Sequence, residues 1–223
     1  FFQSYNDAKF IARKDRGIRT PADLKGKRVG TLKGTSAHYF AYMYLLEHRV
    51  DPASITFSYY DPTELPDALG SGKVDAIVAF EPYAYNSRLA IAGQIADLPP
   101  SVLFRETFNL VAMKAWAGQH PETLKKMVRA VGKATTFVQQ NKQASIEIMV
   151  KNTKFGKEML EAVWHDYIYQ ISLDNSMLVT LENEARWAME NKFVDRRTMP
   201  NYLDYYYLDA MMAVKPDAVS IVK

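Results

Sequence analysis

The segment GKRVGTLKGTSAHYFAYMYLL, residues 26–46, contains the pattern that decides the fold class of this 223-residue chain. A strand-like run, RVGTL, ends at residues 33–34, and Thr35 and Ser36 then open an amphipathic helical pattern. A glycine and two hydroxyls between a strand and a helix are typical of a corner that holds an anionic group. The sequence therefore raises the question of whether this corner binds a substrate, a cofactor phosphate or nothing.

The same alternation of strand and helix continues downstream. Strands are predicted over 28–32, 55–60 and 74–80, and helices over 36–48, 62–69 and 82–92. This alternation predicts right-handed crossovers and a parallel sheet. The run VDAIVAF at 74–80 is almost entirely apolar, as expected for a strand buried on both faces. Ligands bind where such strands end and helices begin, which here means residues 34–36 and 81–82.

The second half of the chain has a different pattern. Helices are predicted over 121–140, 143–151, 156–169, 175–191 and about 201–213. Short strands are predicted over 9–14, 102–104, 110–114 and 220–223. A mainly helical half that follows a small α/β unit suggests helices that cover some other sheet.

Composition excludes several classes of protein. The formal net charge is +3, which implies no polyanionic partner, and the chain has no cysteine, which excludes disulfides and cysteine metal sites. No run of about 18 apolar residues is present, so no membrane span is predicted. No sequence repeat is found.

The corner at residues 34–36 is the first candidate site. The first N–H groups of a helix have no internal partner, and the helix dipole adds partial positive charge there. Gly34 allows close approach to the backbone, and Thr35 and Ser36 can donate to a bound oxygen. Sulfonate, carboxylate, phosphate or nitrate would fit. The alternative is that Thr35 or Ser36 only caps the helix. The corner has neither a Walker loop nor a dinucleotide fingerprint.

Other polar residues allow both functional and structural interpretations. His38 could donate to a ligand or could be structural. Glu81 ends a buried strand, so its carboxylate needs an internal Lys or Arg, a helix N-terminus or a ligand amine as partner. Asn109 precedes the predicted strand LVAMK and could either form a hydrogen bond across a cleft or act as a capping residue. Tyr83 could line the same wall as Glu81 or simply pack.

Enzyme motifs are not found in the sequence. No Gly-x-Ser-x-Gly or His-Glu-x-x-His occurs, and the four histidines are scattered. The aromatic run YLDYYYLDAMM at 202–212 has the spacing of a buried helix. No catalytic residue, metal or cofactor is therefore predicted.

Several stretches resemble a known family. RKDRGIRTPADLKGKRVGTLKGTSAHYF, ALGSGKVDAIVAFEPYAY, FNLVAMKAW and VDRRTMPNYLDYYYLDAM resemble periplasmic solute-binding proteins of ABC importers. The nitrate/sulfonate/taurine branch is the most similar, and it shares its fold with thiamine-pyrimidine-precursor binding proteins. The resemblance extends over residues 8–223.

The resemblance implies an α/β, type II periplasmic-binding-protein-like fold with two lobes and a hinge. Residues 1–16 would be a remnant of the first lobe and the first crossing. Residues 17–107 would form the second lobe. Residues 108–223 would supply the return crossing and a mainly helical segment that completes the lobes.

The resemblance also implies ligand-binding positions, namely Gly34, Thr35, Ser36, Ala37, His38, Glu81, Pro82 and Tyr83, with Asn109 as a weaker candidate. They would clamp a small anionic or zwitterionic solute, such as a sulfonate, nitrate, taurine or a pyrimidine-like compound. Glu81 would deter a simple anion such as nitrate and favour a ligand that also carries an amine or another cationic group, such as an aminosulfonate or an aminopyrimidine. The protein would be periplasmic or lipid-anchored outside the membrane and would deliver its solute to an ABC permease.

One departure from the family pattern is large. Family members carry a further N-terminal segment before the first crossing, and it supplies opening strands and about half of the ligand contacts. Without that segment the first lobe is expected to be incomplete and to expose an apolar face, which predicts dimerisation or strand exchange. A solute-sensing module and an enzyme on the same fold are the alternatives. The cysteine-rich iron motif of the related pyrimidine synthase is absent.

Overall fold

The computed structural model describes residues 2–4, 7–96 and 98–221, which fall into two compact units. One unit comprises Tyr5–Glu106, and the other comprises Phe1–Ser4 with Thr107–Lys223. The first strand, β1 (Phe2–Ser4), belongs to the second of these units. The assignment of 1–16, 17–107 and 108–223 to lobes and crossings stays a prediction.

The unit Tyr5–Glu106 is built on a four-stranded mixed sheet. Its strands are β2 (Lys9–Ala12), β3 (Arg28–Thr31), β4 (Thr56–Tyr59) and β5 (Ala76–Ala79). The spatial order is β2-β5-β3-β4, with β3 parallel to both neighbours and β2 antiparallel to β5. The predicted parallel arrangement of β3, β4 and β5 is confirmed.

Helices α1 (Ser36–Glu47), α2 (Leu65–Gly70) and α3 (Tyr83–Ala90) connect and cover this sheet. The connection through α1 moves from β3 to β4 on one side, whereas the connection through α2 returns past β3 to β5. Right-handed crossovers in opposite directions place α1 and α2 on opposite faces. Consequently β5 is covered on both faces, and all four of its residues are fully buried.

Register brings four chain segments to one edge of this sheet. Gly30 of β3 pairs with Ile77 of β5, and Thr31 pairs with Tyr59 of β4, so the three parallel strands end together. Lys9, at the start of antiparallel β2, pairs with Ala79 and joins the same edge. We call this the carboxyl-end edge.

The other unit is mainly helical, as predicted. It contains a three-stranded sheet in the order β6-β1-β7, with β6 (Glu106–Phe108) and β7 (Tyr167–Ile168). Its helices are α4 (Lys114–Gln119), α5 (Pro121–Gln140), α6 (Lys142–Asn152), α7 (Lys157–Val163), α8 (Asn175–Glu190) and α9 (Asp209–Val214). A small core of Val128, Ile171, Ala210 and Met211 packs α5 against α9.

Many large apolar side chains of this unit are exposed. Although α5 has 20 residues, only Val128 among them is buried. The exposed side chains include Leu110, Val111, Met113, Trp116, Met127, Phe137, Ile148, Val150, Val179, Val194 and Met212. The dimerisation or strand exchange that would cover such residues stays a prediction. None of the helices in the described residues is long and apolar enough to cross a membrane.

Two strands predicted near the junction of the units are wrong. Residues 110–113 are not a strand, since the strand lies earlier, at Glu106–Phe108, and α4 begins at Lys114. Residues 102–104 instead form a turn, in which the Ser101 hydroxyl accepts hydrogen bonds from the N–H groups of Leu103 and Phe104. Apolar composition alone predicted strands where no neighbouring strand is available for pairing.

Three predictions in the second half also need correction. The helix predicted over 156–169 ends at Val163 and is followed by a 3-10 turn and β7. The helix predicted over 201–213 is divided into a 3-10 turn at Tyr202–Tyr205 and α9. Ser220 and Ile221 of the last predicted strand are not in a strand, and an isolated bridge joins Leu173 to Val219 just before them. Val222 and Lys223 lie outside the described residues.

Candidate functional site

The two predicted corners meet at the carboxyl-end edge. The chain leaves β3 toward β4 on one side, and β5 lies on the other side of β3, so the strand order reverses between β3 and β5. Open α/β sheets bind ligands in the crevice at such a reversal. The β3–α1 corner and the β5–α3 corner follow these two strands, so the structure brings them together.

The β3–α1 corner turns at Gly34, whose φ of 70° lies in the left-handed region that favours glycine. Thr35 is the N-cap residue of α1, but its side chain makes no capping hydrogen bond. Its hydroxyl instead donates to the carbonyl of Leu32 at 2.8 Å. The Thr35 proton is thus already used within the protein, and the residue stabilises the turn.

Ser36 carries two hydrogen-bond donors that remain available at this corner. The first N–H groups of a helix lack an intrahelical acceptor. Within the described part of the chain, the half-buried Ser36 hydroxyl has no hydrogen-bond partner. Ala37 is fully buried and packs beneath the corner. An anion at the start of α1 would therefore meet the N–H and hydroxyl of Ser36 first.

His38 supports the corner from below. It is 6% exposed, its Nδ1 accepts the N–H of Gly34 at 3.3 Å, and its ring lies edge-on to Phe57 and Tyr59. Burial, and then the charge of Lys33, lower the His38 pKa to about 4. The imidazole is neutral at pH 7, and since Nδ1 is an acceptor, its proton is on Nε2.

The pKa of His38 predicts a pH dependence of stability. The unfolded state binds more protons than the folded state between the ordinary pKa of 6.5 and the folded pKa of about 4. The contribution of neutral His38 to the free energy of unfolding is thus fully present above pH 6.5. It is lost progressively as the pH falls toward 4. We expect a loss of about 1 kcal/mol, since nearby water screens part of the effect.

Urea unfolding at pH 7 and at pH 4.5 measures this loss. His38→Gln keeps an acceptor for Gly34 but does not titrate, so it should show a smaller fall than the wild type. An equal fall in both proteins would show that another group causes the dependence.

Glu81 has its partners within the protein. Its Oε1 is 2.5 Å from Lys9 Nζ, and the side chains of Lys9 and Glu81 are 12% and 5% exposed. Its Oε2 accepts the N–H of Tyr85 at 2.8 Å and so caps the first turn of α3. Two of the three partners considered from the sequence, a lysine and a helix N-terminus, are therefore present. The carboxylate needs no ligand amine.

The remaining candidates occupy different places. Pro82 follows Glu81 through a cis peptide bond. Tyr83 begins α3 and is half-buried, with its ring in a T-shaped contact with Phe80 at 5.8 Å. Asn109 follows β6 in the other unit and does not precede a strand. Its amide donates to Thr107 Oγ1 at 3.1 Å.

Three residues at the carboxyl-end edge were missed by sequence analysis. Lys33 adjoins Gly34, is exposed, and forms no ion pair within the described residues; its Nζ lies 5.5 Å from the ring centroid of Tyr59. Tyr59 ends β4 and is 45% exposed. The rule that ligands bind at strand ends could have identified both. Lys9 could not have been found this way, because its place depends on antiparallel pairing.

Sequence comparison links the chain to known proteins. The sequence model of the family described as NMT1/THI5 like matches residues 2–145. A provisionally named binding protein of Brucella abortus (strain 2308) is 26% identical over 150 residues, covering 65% of this chain and 46% of the relative. A provisionally named aliphatic sulfonates-binding protein of Bacillus subtilis (strain 168) is 23% identical over 194 residues, covering 84% of this chain and 57% of the relative. The chain spans about half the length of these curated relatives.

Solved structures share the fold. The periplasmic aliphatic sulphonate binding protein SsuA of Escherichia coli matches with a TM-score of 0.75 and 18% identity, covering 93% of this chain and 74% of that one. The alkanesulfonate-binding protein SsuA of Xanthomonas axonopodis pv. citri, bound to MOPS, matches with a TM-score of 0.66 and 18% identity, covering 97% of this chain and 73% of that one. The desulfurization enzyme DszB matches with a TM-score of 0.57 and 14% identity, covering 91% of this chain and 76% of that one. These matches confirm the predicted α/β, type II periplasmic-binding-protein-like fold.

Proposed function

Because this chain belongs to the NMT1/THI5-like family, we propose that it is the solute-binding component of an ABC-type importer and binds a small organic anion. The observation that carries the proposal is the hydroxyl of Ser36 at the start of α1, which has no hydrogen-bond partner among the residues that the structure describes and lies beside the exposed Lys33. Both groups lie at the edge where the strand order reverses. A helix N-terminus favours negative charge, and donors without partners favour oxygen ligands.

Sulfonates are the proposed class of anion. Three of the relatives reported above are named for sulfonate binding, one found by its sequence and two by their solved structures. A sulfonate presents several acceptor oxygens on one face, so Ser36 N–H, Ser36 Oγ and Lys33 Nζ could each reach one. Nitrate has the same charge but lacks the organic group that the nearby rings of Tyr59 and Tyr83 could contact.

The proposed place of action is outside the cytoplasmic membrane. The structural relative from Escherichia coli is periplasmic, and another structural relative is the ligand-binding component of an ABC-type import system from Staphylococcus aureus. Release of the solute to a permease would then complete transport.

Binding without catalysis fits the corner better than hydrolysis does. The fold itself does not decide, since DszB is an enzyme. The Ser36 hydroxyl has no hydrogen-bonded base among the described residues, and His38 Nδ1 is engaged by Gly34 N–H. A nucleophilic serine would need an adjacent base as its hydrogen-bond partner.

Calorimetric titration with ethanesulfonate, nitrate and acetate tests the proposal. We expect saturable binding of ethanesulfonate that is tighter than that of nitrate and acetate, with the ligand recovered unchanged. Ser36→Ala should weaken binding by about tenfold, the effect of a lost hydrogen bond to a charged acceptor.

Ser71→Ala is the matched control, because Ser71 lies in the turn that precedes β5, away from the carboxyl-end edge. It should bind ethanesulfonate as tightly as the wild type does. Absence of sulfonate binding, or equal affinity in Ser36→Ala and the wild type, would overturn the proposal.

A further inference from the structure

We infer that the site selects sulfonates that carry no ammonium group, because its acidic residue, Glu81, is neutralised from within the protein by Lys9. The inference rests on the proposed function and specifies the class of solute. It reverses the preference for an amine that the sequence alone predicted from Glu81.

The pair is built into the sheet. The antiparallel register sets Lys9 opposite Ala79, two residues before Glu81, so β2 delivers the ammonium group to the end of β5. The two charged atoms are 2.5 Å apart, and both side chains are largely buried. Tyr85 N–H occupies the second carboxylate oxygen. A ligand ammonium would have to displace one of these partners to reach the carboxylate.

The two titratable groups beside Gly34, His38 and Lys33, also disfavour a second cation. His38 is neutral at pH 7 and contributes no charge. Lys33 is positive and has no carboxylate partner in the part of the chain that the structure describes. With Glu81 paired to Lys9, Lys33 is the positive charge that lies next to Gly34. A monoanion balances it, whereas the ammonium of a zwitterion is repelled by Lys33.

Ethanesulfonate and taurine test the inference, because they share the sulfonate and the two-carbon chain and differ in the ammonium group. In calorimetric titrations of the wild type, we expect ethanesulfonate to bind at least tenfold more tightly. Propanesulfonate controls for size and should resemble ethanesulfonate.

Variants of the pair locate the cause. Lys9→Met leaves Glu81 without its cation and should move the affinity ratio at least tenfold toward taurine. Glu81→Gln, which keeps an acceptor for Tyr85 N–H, should move the ratio the other way. The double variant Lys9→Met/Glu81→Gln should return the ratio of the two affinities toward that of the wild type. If Lys9→Met fails to fold, the Glu81→Gln ratio decides.

The outcomes separate the inference from the proposed function. Tighter binding of taurine than of ethanesulfonate by the wild type would overturn the inference and leave sulfonate binding intact. An unchanged ratio in Glu81→Gln would also overturn it. Failure of all three sulfonates to bind would overturn the proposed function and the inference with it.

Discussion

Replacing Lys9 with methionine is expected to lower the free energy of unfolding by about 3 kcal/mol, because removing one partner of a buried ion pair leaves the other charge uncompensated. Methionine keeps most of the apolar stem of lysine, so the loss reports mainly on charge. The carboxylate left behind is that of Glu81, whose side chain is 5% exposed. Its remaining hydrogen bond from Tyr85 N–H compensates only part of the lost interaction.

Urea unfolding of the single and double variants measures this effect. Lys9→Met/Glu81→Gln should be more stable than Lys9→Met, since no unpaired charge remains buried. Lys125→Met, at the exposed pair of Lys125 with Glu122 on α5, is the matched control and should change stability by less than about 0.5 kcal/mol. A loss in Lys9→Met as small as in this control would contradict the buried pair.

Ser36→Asp is expected to affect stability and binding in opposite directions. A carboxylate in the first turn of α1 interacts favourably with the helix dipole and should raise the free energy of unfolding by about 0.5 kcal/mol. The same carboxylate occupies the place proposed for the ligand anion and repels it. We expect the affinity for ethanesulfonate to fall by about 100-fold, which corresponds to about 3 kcal/mol.

Thr123→Asp is the control for this substitution. Thr123 lies in the exposed first turn of α5, a helix without a side-chain cap in the other unit. Its replacement should give a similar small gain in stability and leave ethanesulfonate binding unchanged. Thermal unfolding and calorimetric titration measure the two effects. Retained binding in Ser36→Asp would contradict an anion site at the start of α1.

Periodic patterns allowed much of the fold to be predicted from the sequence. The apolar run at 74–80 identified a central strand, and residues 76–79 are indeed its buried core. Pro121 and the helical pattern that follows it gave the bounds of α5. Both elements are encoded locally, by burial on two faces of a strand and by helical spacing with a proline at the first position.

Features that depend on pairing between distant segments could not be predicted. The apolar run at 110–113 resembles a strand, yet Val111 and Met113 are about as exposed as side chains can be, at 89% and 80%. A strand requires a neighbour, and the sequence does not show where neighbours lie. For the same reason the contact between Lys9 and Glu81 could not be predicted, since the two residues are 72 positions apart in the chain.

The place of the candidate site stays a prediction, and only part of the local contacts of its residues could be foreseen. The sequence does not show which of the two neighbouring hydroxyls, Thr35 or Ser36, is available to a ligand. The turn at Gly34 decides this, because it lets the Thr35 hydroxyl donate to the carbonyl of Leu32, while the Ser36 hydroxyl has no partner among the described residues. The need of Glu81 for a partner followed from burial. Which of the possible partners satisfies it depended on the register of β2 against β5.

The central claim is that a small organic anion binds at the start of α1, between the ends of β3 and β5. An amide NMR titration of the protein with ethanesulfonate tests it most directly. We predict saturable shifts of the Ser36 amide and of its neighbours at 33–35, which are absent in Ser36→Asp. Saturable binding that leaves these amides unmoved and shifts a distant group of residues would contradict the claim.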